Sequence, residues 1–222
     1  MTALRVLSGG AAQGAACALA ALHGIALEAE FGAVGTMQKK LLDGEACDIV
    51  ILTRALVGEL ARAGRVLASA DLGAVPTAIA VREQDASPPV STAEELRAAL
   101  LAADEIYFPD PEKSTAGIHF RKVLDSLGVA NGRRAFPNGA TAMREMVRSR
   151  ARSVIGCTQS TEILITAGAR LVGPLPEPFA LATVYTAATC AGAPHREEAA
   201  RFLGLLGGEA SRALRRKAGF QA

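Results

Sequence analysis

Four short stretches of small and hydroxyl-bearing residues each follow an apolar strand pattern and precede a helix pattern. They begin at Ser8, Gly35, Lys113 and Cys157. At such a junction the first backbone N–H groups of the helix have no partner and the helix dipole favours negative charge, so the junction is suited to an anion. The residues assigned in this way to ligand binding are Ser8, Gly9, Gly10, Gly35, Thr36, Ser114, Thr115, Cys157, Thr158, Gln159 and Ser160. Four junctions of one kind predict that they converge on one cleft.

Two basic residues stand beside these junctions. Lys113 precedes Ser114, and Arg54 follows the third predicted strand. Cationic side chains form strong charge-assisted hydrogen bonds with carboxylates, so Lys113 and Arg54 turned inward favour a carboxylate ligand, whereas hydroxyls and amides alone favour an inorganic oxyanion. The alternative for both residues is a solvated surface charge, and for Thr36 and Ser114 it is plain helix capping. The sequence leaves these alternatives open.

Some of the same residues are candidates for moving a proton. His119, Cys157, Lys113 and Glu162 carry side chains that act as general acids or bases in enzymes. His119 is equally well explained as a packed or surface histidine, and Cys157 as a small core residue, although a thiol at a helix start can have a lowered pKa. Phosphate-binding loops, a nucleophile elbow and metal-ligand spacings are all missing from the sequence, so we expect no cofactor and no metal.

Strand and helix patterns alternate along the chain, which predicts an α/β protein. The predicted strands are 4–8, 25–31, 47–53, 75–82, 105–108, 134–136, 153–157, 170–172 and 181–187. The predicted helices are 11–23, 36–43, 55–63, 92–101, 117–127, 140–149, 160–167, 195–206 and 209–218. Ser91 and Glu94 have the spacing of a capping box, and Gly44, Gly64, Gly128 and Gly168 follow helices where a left-handed cap is expected.

Two longer apolar strand patterns, near 75–82 and 180–187, suggest chain crossings between two lobes. Cutting there gives a first lobe of 1–80 with 185–222 and a second lobe of 82–182. Two crossings form a hinge, and ligands bind in clefts between lobes.

Composition excludes several function classes. The 222 residues carry a net charge of +2 and lack a basic run interleaved with aromatic residues, so we expect no nucleic-acid partner. The apolar-rich stretches are too short or too polar to predict membrane insertion. The first strand pattern starts at Leu4, which predicts a cytoplasmic protein, or a periplasmic one if a leader was removed. The four cysteines are predicted to be free thiols, with Cys17 and Cys47 in the core.

The order of these patterns resembles the type 2 periplasmic binding proteins, and most closely their molybdate-binding branch, over nearly the whole chain. Three segments carry the resemblance: Leu41–Ile51, which is similar to the family's helix, glycine and strand; Tyr107–Gly117, which is similar to its "DP…AG" turn; and Lys217–Phe220. The resemblance implies a two-lobed α/β fold, each lobe with a mixed sheet flanked by helices, and an oxyanion held by hydroxyls and backbone N–H groups.

The resemblance also bears on the ligand. Molybdate binders have a serine pair where Val34-Gly35-Thr36 stands and a tyrosine near Cys157, and these differences favour another anion. The sequence therefore predicts a protein that binds a small anion, with an organic carboxylate preferred over molybdate. The alternative is a cytoplasmic isomerase of an unsaturated di- or tricarboxylate, because relatives of this family include aconitate isomerases. An ABC-transporter partner is implied only if a leader was removed, and a DNA-linked sensor module is not favoured.

Overall fold

The computed structural model describes residues 3–221, in which strands and helices alternate as predicted for an α/β protein. The strands are β1 (Leu4–Gly9), β2 (Leu27–Gly32), β3 (Ile49–Thr53), β4 (Val66–Arg82), β5 (Glu105–Pro109), β6 (Arg133–Phe136), β7 (Val154–Gln159), β8 (Ala169–Pro174) and β9 (Ala182–Cys190). The helices are α1 (Gln13–Leu22), α2 (Val34–Leu42), α3 (Arg54–Arg62), α4 (Ala93–Ala102), α5 (Thr115–Ser126), α6 (Gly139–Arg148), α7 (Ser160–Leu164), α8 (Arg196–Gly207) and α9 (Arg212–Lys217).

The chain divides into two compact units, Met1–Val75 with Val184–Ala222 and Pro76–Thr183. In the first unit β1 lies between β2 and β3 and is parallel to both, and β9 runs antiparallel to β3. Its core is one apolar cluster that includes Val6, Ile49, Ile51, Leu60 and Phe202. Parallel strands followed by helices place the carboxyl ends of β1, β2 and β3 at one edge of the sheet.

The second unit repeats this arrangement with different strands. β5 is parallel to both β6 and β7, while the last part of β4 pairs antiparallel with β7 and β8. One apolar cluster includes Phe108, Phe120 and Ile155, and another includes Met143 and Met146. The helices that follow β5, β6 and β7 therefore all begin at the same edge of this sheet.

Several details of the sequence prediction are wrong. β4 begins at Val66 and not near residue 75. Its first half was missed because most of its side chains are exposed and do not alternate regularly between apolar and polar. Helix α2 begins at Val34, so Gly35 and Thr36 lie inside its first turn. The capping box consists of Thr92 and Glu95, one residue later than predicted. The left-handed glycine caps at Gly44, Gly64 and Gly128 are confirmed, because each directly follows the C-cap residue of a helix and has a positive φ angle. Gly168 also has a positive φ angle, but α7 ends at Leu164, so Gly168 does not cap that helix.

The cysteines follow the prediction in part. All four are free thiols, and Cys47 is buried, but Cys17 is exposed on α1 instead of lying in the core. None of the helices within residues 3–221 is both long enough and apolar enough to span a membrane.

Candidate functional site

In the first unit, the predicted ligand residues lie at one edge of the sheet. Gly9 at the end of β1 is opposite Gly32 at the end of β2, and Ser8 is opposite Ile51 of β3. The segments that follow these strands are Gly10–Ala12, α2 and α3. The structure thus brings Ser8, Gly9 and Gly10 to the edge at which Gly35, Thr36 and Arg54 begin their helices.

Close packing at Gly9 fixes this edge. A Cβ atom at Gly9 would lie 2.7 Å from Val34 Cγ1 and 3.1 Å from the Tyr185 ring, so only glycine lets α2 and β9 approach the end of β1. The Ser8 side chain is fully buried, and its hydroxyl donates a 2.9 Å hydrogen bond to the Gly9 carbonyl. Its donor capacity is therefore already used within the protein.

Arg54 is also engaged. It is the first residue of α3, and its guanidinium is paired with Asp71, which accepts a further 2.5 Å hydrogen bond from the Thr186 hydroxyl. Burial raises the pKa of Asp71, but the hydrogen bonds from Arg54 and Thr186 outweigh it and hold that pKa below its usual range. Because Asp71 already neutralises Arg54, this geometry gives no support to Arg54 as a carboxylate ligand.

In the second unit, three helices begin at one sheet edge. β5 is parallel to β6 and β7, with Pro109 opposite Phe136 and Tyr107 opposite Gly156. Beyond these strand ends lie Ser114 before α5, Gly139 at the start of α6 and Ser160 at the start of α7. The structure therefore brings Ser114, Thr115, Gln159 and Ser160 to one edge.

Ser114 is the N-cap residue of α5, but its side chain accepts no capping hydrogen bond. Instead, the Asp110 side chain organises this turn by accepting from the backbone N–H groups of Glu112 and Lys113, and Ser114 N donates to the Asp110 carbonyl at 3.1 Å. The Lys113 side chain is exposed and has no ion-pair partner among residues 3–221. The Ser114 hydroxyl and the Lys113 ammonium are thus not committed to capping or to an internal ion pair.

The strongest polar feature of this unit is a set of buried side chains without hydrogen-bond partners. Thr77 on β4 is opposite Gln159 on β7, and Ser160 and Thr161 follow Gln159 along the chain. Each is at most 5% exposed, and within the described residues no partner exists for the three hydroxyls or for either end of the Gln159 amide. We call Thr77, Gln159, Ser160 and Thr161 the polar cluster. Buried polar groups are nearly always hydrogen-bonded, so such a cluster points to a ligand or to solvent that completes it.

Beside the polar cluster lies a buried carboxyl group. Glu162 Oε2 accepts a 2.5 Å hydrogen bond from the Thr158 hydroxyl, and the carboxyl also accepts from the backbone N–H groups of Gln159 and Ala140. Burial raises the pKa of Glu162 above its usual range despite the lowering effect of these three donors. The carboxyl group occupies the start of α6, where a Cβ at Gly139 would lie 2.1 Å from Glu162 Oε2.

Two predicted proton-transfer residues are placed less favourably. Cys157 is fully buried in an apolar cluster, two residues before the end of β7, and burial raises the pKa of its thiol well above the usual value. Of the two alternatives for Cys157, this placement favours a small core residue over a thiol with a lowered pKa. His119 Nε2 lies 2.8 Å from the Phe179 carbonyl. A carbonyl only accepts, so this nitrogen carries the proton and ties the ring to the backbone.

Sequence reasoning missed Thr77, Thr161 and the contact between Gly139 and Glu162. Thr77 lies within the predicted crossing strand, where it reads as an ordinary strand residue. Thr161 belongs to the junction that begins at Cys157, but its side chain was not assigned to the site. Only the strand register, which sets Thr77 opposite Gln159, shows that they belong together. No group of three or more His, Cys, Asp or Glu side chains within residues 3–221 is arranged to hold a metal ion.

This fold, in which polar strand-to-helix junctions share a sheet edge in each of two α/β units, is that of a solute-binding protein. The chain matches the family of bacterial extracellular solute-binding proteins over residues 4–221, and it belongs to that family. The predicted fold class, the type 2 periplasmic binding protein fold similar to molybdate-binding proteins, is confirmed.

Solved structures share this fold, and one curated relative is similar in sequence over part of its length. The Azotobacter vinelandii periplasmic molybdate-binding protein has a TM-score of 0.78 at 17% identity, with 99% of each chain covered. The sulfate-binding protein SubI from Mycobacterium tuberculosis has a TM-score of 0.75 at 17% identity, covering 100% of this chain and 87% of that one. An aconitate isomerase from Pseudomonas sp. is 26% identical over 174 residues, 74% of this chain, and the match spans 63% of that relative's length.

Proposed function

We propose that this protein binds a small anion and that the polar cluster of the second unit supplies part of the binding site. The observation that carries the proposal is the set of buried, unpartnered donors on Thr77, Gln159, Ser160 and Thr161. Leaving a buried polar group unpaired costs about 1–3 kcal/mol, and a ligand oxygen that accepts from these groups removes that cost. The interlobe position of the site stays a prediction from the sequence.

Neutral donors suit an anion in a buried site. Hydroxyl and amide groups bind a negatively charged oxygen strongly without bringing a second charge that must itself be desolvated. The molybdate- and sulfate-binding structural neighbours are named for anions of this kind. These neighbours share the fold of this chain and are named for small anions, which supports a small anion as the ligand without identifying it.

Within the anions, we propose that an organic carboxylate is preferred over molybdate. The Lys113 ammonium, which stands beside the uncommitted Ser114 hydroxyl, offers a charge to a second carboxylate group. Gln159 adds a second argument, because both its amide oxygen and its amide nitrogen lack partners. A hydroxy acid or a partly protonated carboxylate brings a donor for that oxygen as well as acceptors, whereas a fully ionised oxyanion brings only acceptors. The curated relative that is named for an aconitate activity agrees with this preference.

A ligand panel tests the proposal. Thermal unfolding and titration calorimetry are measured with molybdate, tungstate, sulfate, phosphate, cis- and trans-aconitate, citrate and maleate. Ligand at about 100 times its Kd adds about 2.7 kcal/mol of stability, which is easily seen as a rise in Tm. We expect the largest rise with a di- or tricarboxylate. A rise with molybdate or tungstate alone overturns the carboxylate preference, and no rise with any compound overturns anion binding.

Gln159→Ala and Ser160→Ala locate the ligand. We expect each to weaken binding of the best compound by about tenfold, because each removes a buried donor to the ligand. The matched control is Ser8→Ala in the first unit, whose hydroxyl already donates to the Gly9 carbonyl, and we expect it to weaken binding less.

A second candidate function is the isomerisation of an unsaturated di- or tricarboxylate. The observation that favours it is Glu162, a buried carboxyl group with a raised pKa next to the polar cluster. A general base removes a proton from the carbon next to a double bond, the double bond shifts by one position, and the proton returns at the far carbon. The conjugated carboxylate carries the intermediate negative charge, so this reaction balances without a cofactor.

Proton NMR of cis- and trans-aconitate incubated with the protein in deuterated buffer tests this candidate. We expect interconversion with deuterium incorporation, and its loss in Glu162→Gln. The other predicted proton-transfer residues are compared as His119→Asn, Cys157→Ala and Lys113→Met. Binding without conversion by the wild type rejects the isomerase and leaves the binding protein. Delivery of the ligand to an ABC transporter is a proposal for the binding protein alone.

A further inference from the structure

The Glu162 carboxyl group lies against the backbone that carries the polar cluster. Glu162 follows Thr161 directly, and the backbone N–H of Gln159 donates to the Glu162 carboxyl group. The residue itself is 5% exposed, and Thr158, which donates to its Oε2, is fully buried. An anion that accepts hydrogen bonds from Gln159, Ser160 and Thr161 would therefore lie close to this carboxyl group in a poorly hydrated environment.

Other charged groups do not offset the Glu162 carboxyl group. The titratable or charged side chains on the elements that pack around α7 are Arg144, Glu145 and Arg148 on α6, Arg170 on β8 and Cys157 on β7. Arg144 donates to the Thr141 hydroxyl, Arg148 pairs with Glu145, and Arg170 donates to the Asp85 carbonyl. Cys157 is buried and its thiol pKa is raised, so it stays neutral. The pKa of Glu162 is accordingly set by burial, by Thr158 and by two backbone N–H groups, with no charge interaction from these side chains.

From this geometry we propose that Glu162 couples anion binding in the polar cluster to a proton. The neutral carboxylic acid is compatible with a neighbouring anion, whereas an ionised Glu162 repels it across a short distance in a medium of low dielectric constant. By linkage, the anion binds tightly to the protonated form, and where Glu162 is already ionised, binding takes up one proton. This inference deepens the proposed anion binding and rests on it. It excludes Glu162 as the base of the isomerase candidate, because that role needs an ionised carboxylate beside the bound ligand.

A structural role and a proton-coupled role for Glu162 predict different effects of pH on anion affinity. A purely structural Glu162 would hold the start of α6 through its contact with Ala140, and its ionisation would leave anion affinity unchanged. A proton-coupled Glu162 makes affinity depend on pH with a midpoint at the Glu162 pKa. The pH profile of affinity therefore separates the two roles.

The experiment is titration calorimetry with sulfate, and then with trans-aconitate, between about pH 5 and about pH 9. Sulfate keeps its charge across this range, so a change in affinity reports on the protein. We expect the Kd of the wild type to rise by up to about tenfold per pH unit above the Glu162 pKa. We expect Glu162→Gln to show a flat profile and to bind about tenfold more tightly than wild type at the alkaline end. Heats measured in buffers of different ionisation enthalpy should show proton uptake in the wild type alone.

Two further variants serve as a control and as an independent test. Glu83→Gln removes one carboxylate from an exposed position of the same unit, and we expect it to keep the wild-type profile. Thr158→Val removes a hydrogen bond that lowers the Glu162 pKa, so it should shift the wild-type profile to higher pH even if Glu162→Gln does not fold.

The possible failures are distinguishable. If sulfate or trans-aconitate binds but wild type and Glu162→Gln share one pH profile, and Thr158→Val does not shift it, the proton coupling is wrong while anion binding stands. If none of the anions in the panel binds to the wild type at any pH, both the coupling and the proposed function are overturned.

Discussion

The two units have similar sheet edges, but the polar side chains are paired within the protein at the edge of the first unit and unpartnered at the edge of the second. At the edge of the first unit, Ser8 donates to the Gly9 carbonyl and Arg54 is paired with Asp71. At the edge of the second unit, the polar cluster and the Ser114 cap leave their donors uncommitted. A completed network contributes stability, whereas an incomplete one is held ready for a ligand at a cost in stability. The comparison indicates that the second unit carries the greater share of the proposed anion-binding groups.

The two units also hold buried carboxyl groups with opposite pKa shifts. Asp48 in the first unit accepts from Arg5 N, His195 N and the His195 ring, and although burial raises its pKa, these donors hold it below the usual range. Glu162 in the second unit has donors too, but burial dominates and its pKa is raised. Burial alone therefore does not set the charge of a buried acid, and the number and kind of donors decide it.

The largest expected effect comes from Gly139→Ala at the start of α6. The added Cβ would lie 2.0 Å from Thr158 Oγ1 and 2.1 Å from Glu162 Oε2, so the buried contact between them must move. We expect a loss of about 2–3 kcal/mol in the free energy of unfolding, measured with urea, together with weaker anion binding. The matched control is Gly58→Ala inside α3, where nothing lies within 4 Å of the new Cβ. It should stabilise the protein by about 0.5–1 kcal/mol, and equal losses in both variants would contradict the role of this contact.

A second prediction contrasts the two buried acids across pH. Asp48→Asn should destabilise by about 1–3 kcal/mol at neutral pH, because a lowered folded-state pKa contributes stability above the unfolded value of about 3.9. That difference from wild type should shrink as pH falls through the folded-state pKa. Glu162→Gln should show the reverse: the raised folded-state pKa stabilises wild type in acid, and the advantage is lost as pH rises through it.

Urea unfolding curves at several pH values test whether the stability differences of Asp48→Asn and Glu162→Gln from wild type change with pH in opposite directions. The free energy of each variant is compared with that of wild type at the same pH, so that titrations shared by all three proteins cancel. If the free-energy differences of the two variants from wild type change with pH in the same direction, Asp48 and Glu162 do not have opposite pKa shifts.

A third prediction compares a hydrogen-bonded hydroxyl with an unpartnered hydroxyl in the second unit. Thr166→Val removes a hydroxyl that donates to the Glu162 carbonyl at 2.7 Å, and we expect a loss of about 1 kcal/mol. Thr77→Val removes an unpartnered buried hydroxyl, so the ligand-free protein should be equally stable or slightly more stable. The same variant should weaken anion binding by about tenfold. A clear loss of stability in Thr77→Val would show that its hydroxyl has a structural partner.

The smallest expected effect is that of Arg54→Met in the first unit. Its guanidinium is largely exposed and paired with Asp71, and exposed ion pairs contribute little to stability. We expect an unfolding curve close to that of wild type and a change of less than about twofold in the Kd of the best carboxylate. Lys113→Met is the comparison, since its ammonium has no ion-pair partner in the described part of the chain, and it should weaken carboxylate binding more. A large loss of affinity in Arg54→Met would restore the sequence prediction that this residue holds the ligand.

The sequence by itself determined the α/β class, the strand-to-helix junctions and most element positions. These features follow from local patterns: runs of apolar residues for strands, periodic apolar residues for helices, and glycines such as Gly44 and Gly64 whose positive φ ends a helix. The exposed first half of β4 escaped the same reasoning because it has no apolar pattern to detect.

Only the tertiary structure decided which polar groups are free. Arg54 and Ser114 look equally available in sequence, yet Asp71, 17 residues along the chain, neutralises Arg54, whereas the Ser114 side chain makes no capping hydrogen bond. The neighbours of Thr77 and Glu162 are likewise set by strand register and by the packing of α6 against α7. Hydrogen-bond satisfaction depends on groups that are distant in sequence and close in space, so local residue patterns cannot report it.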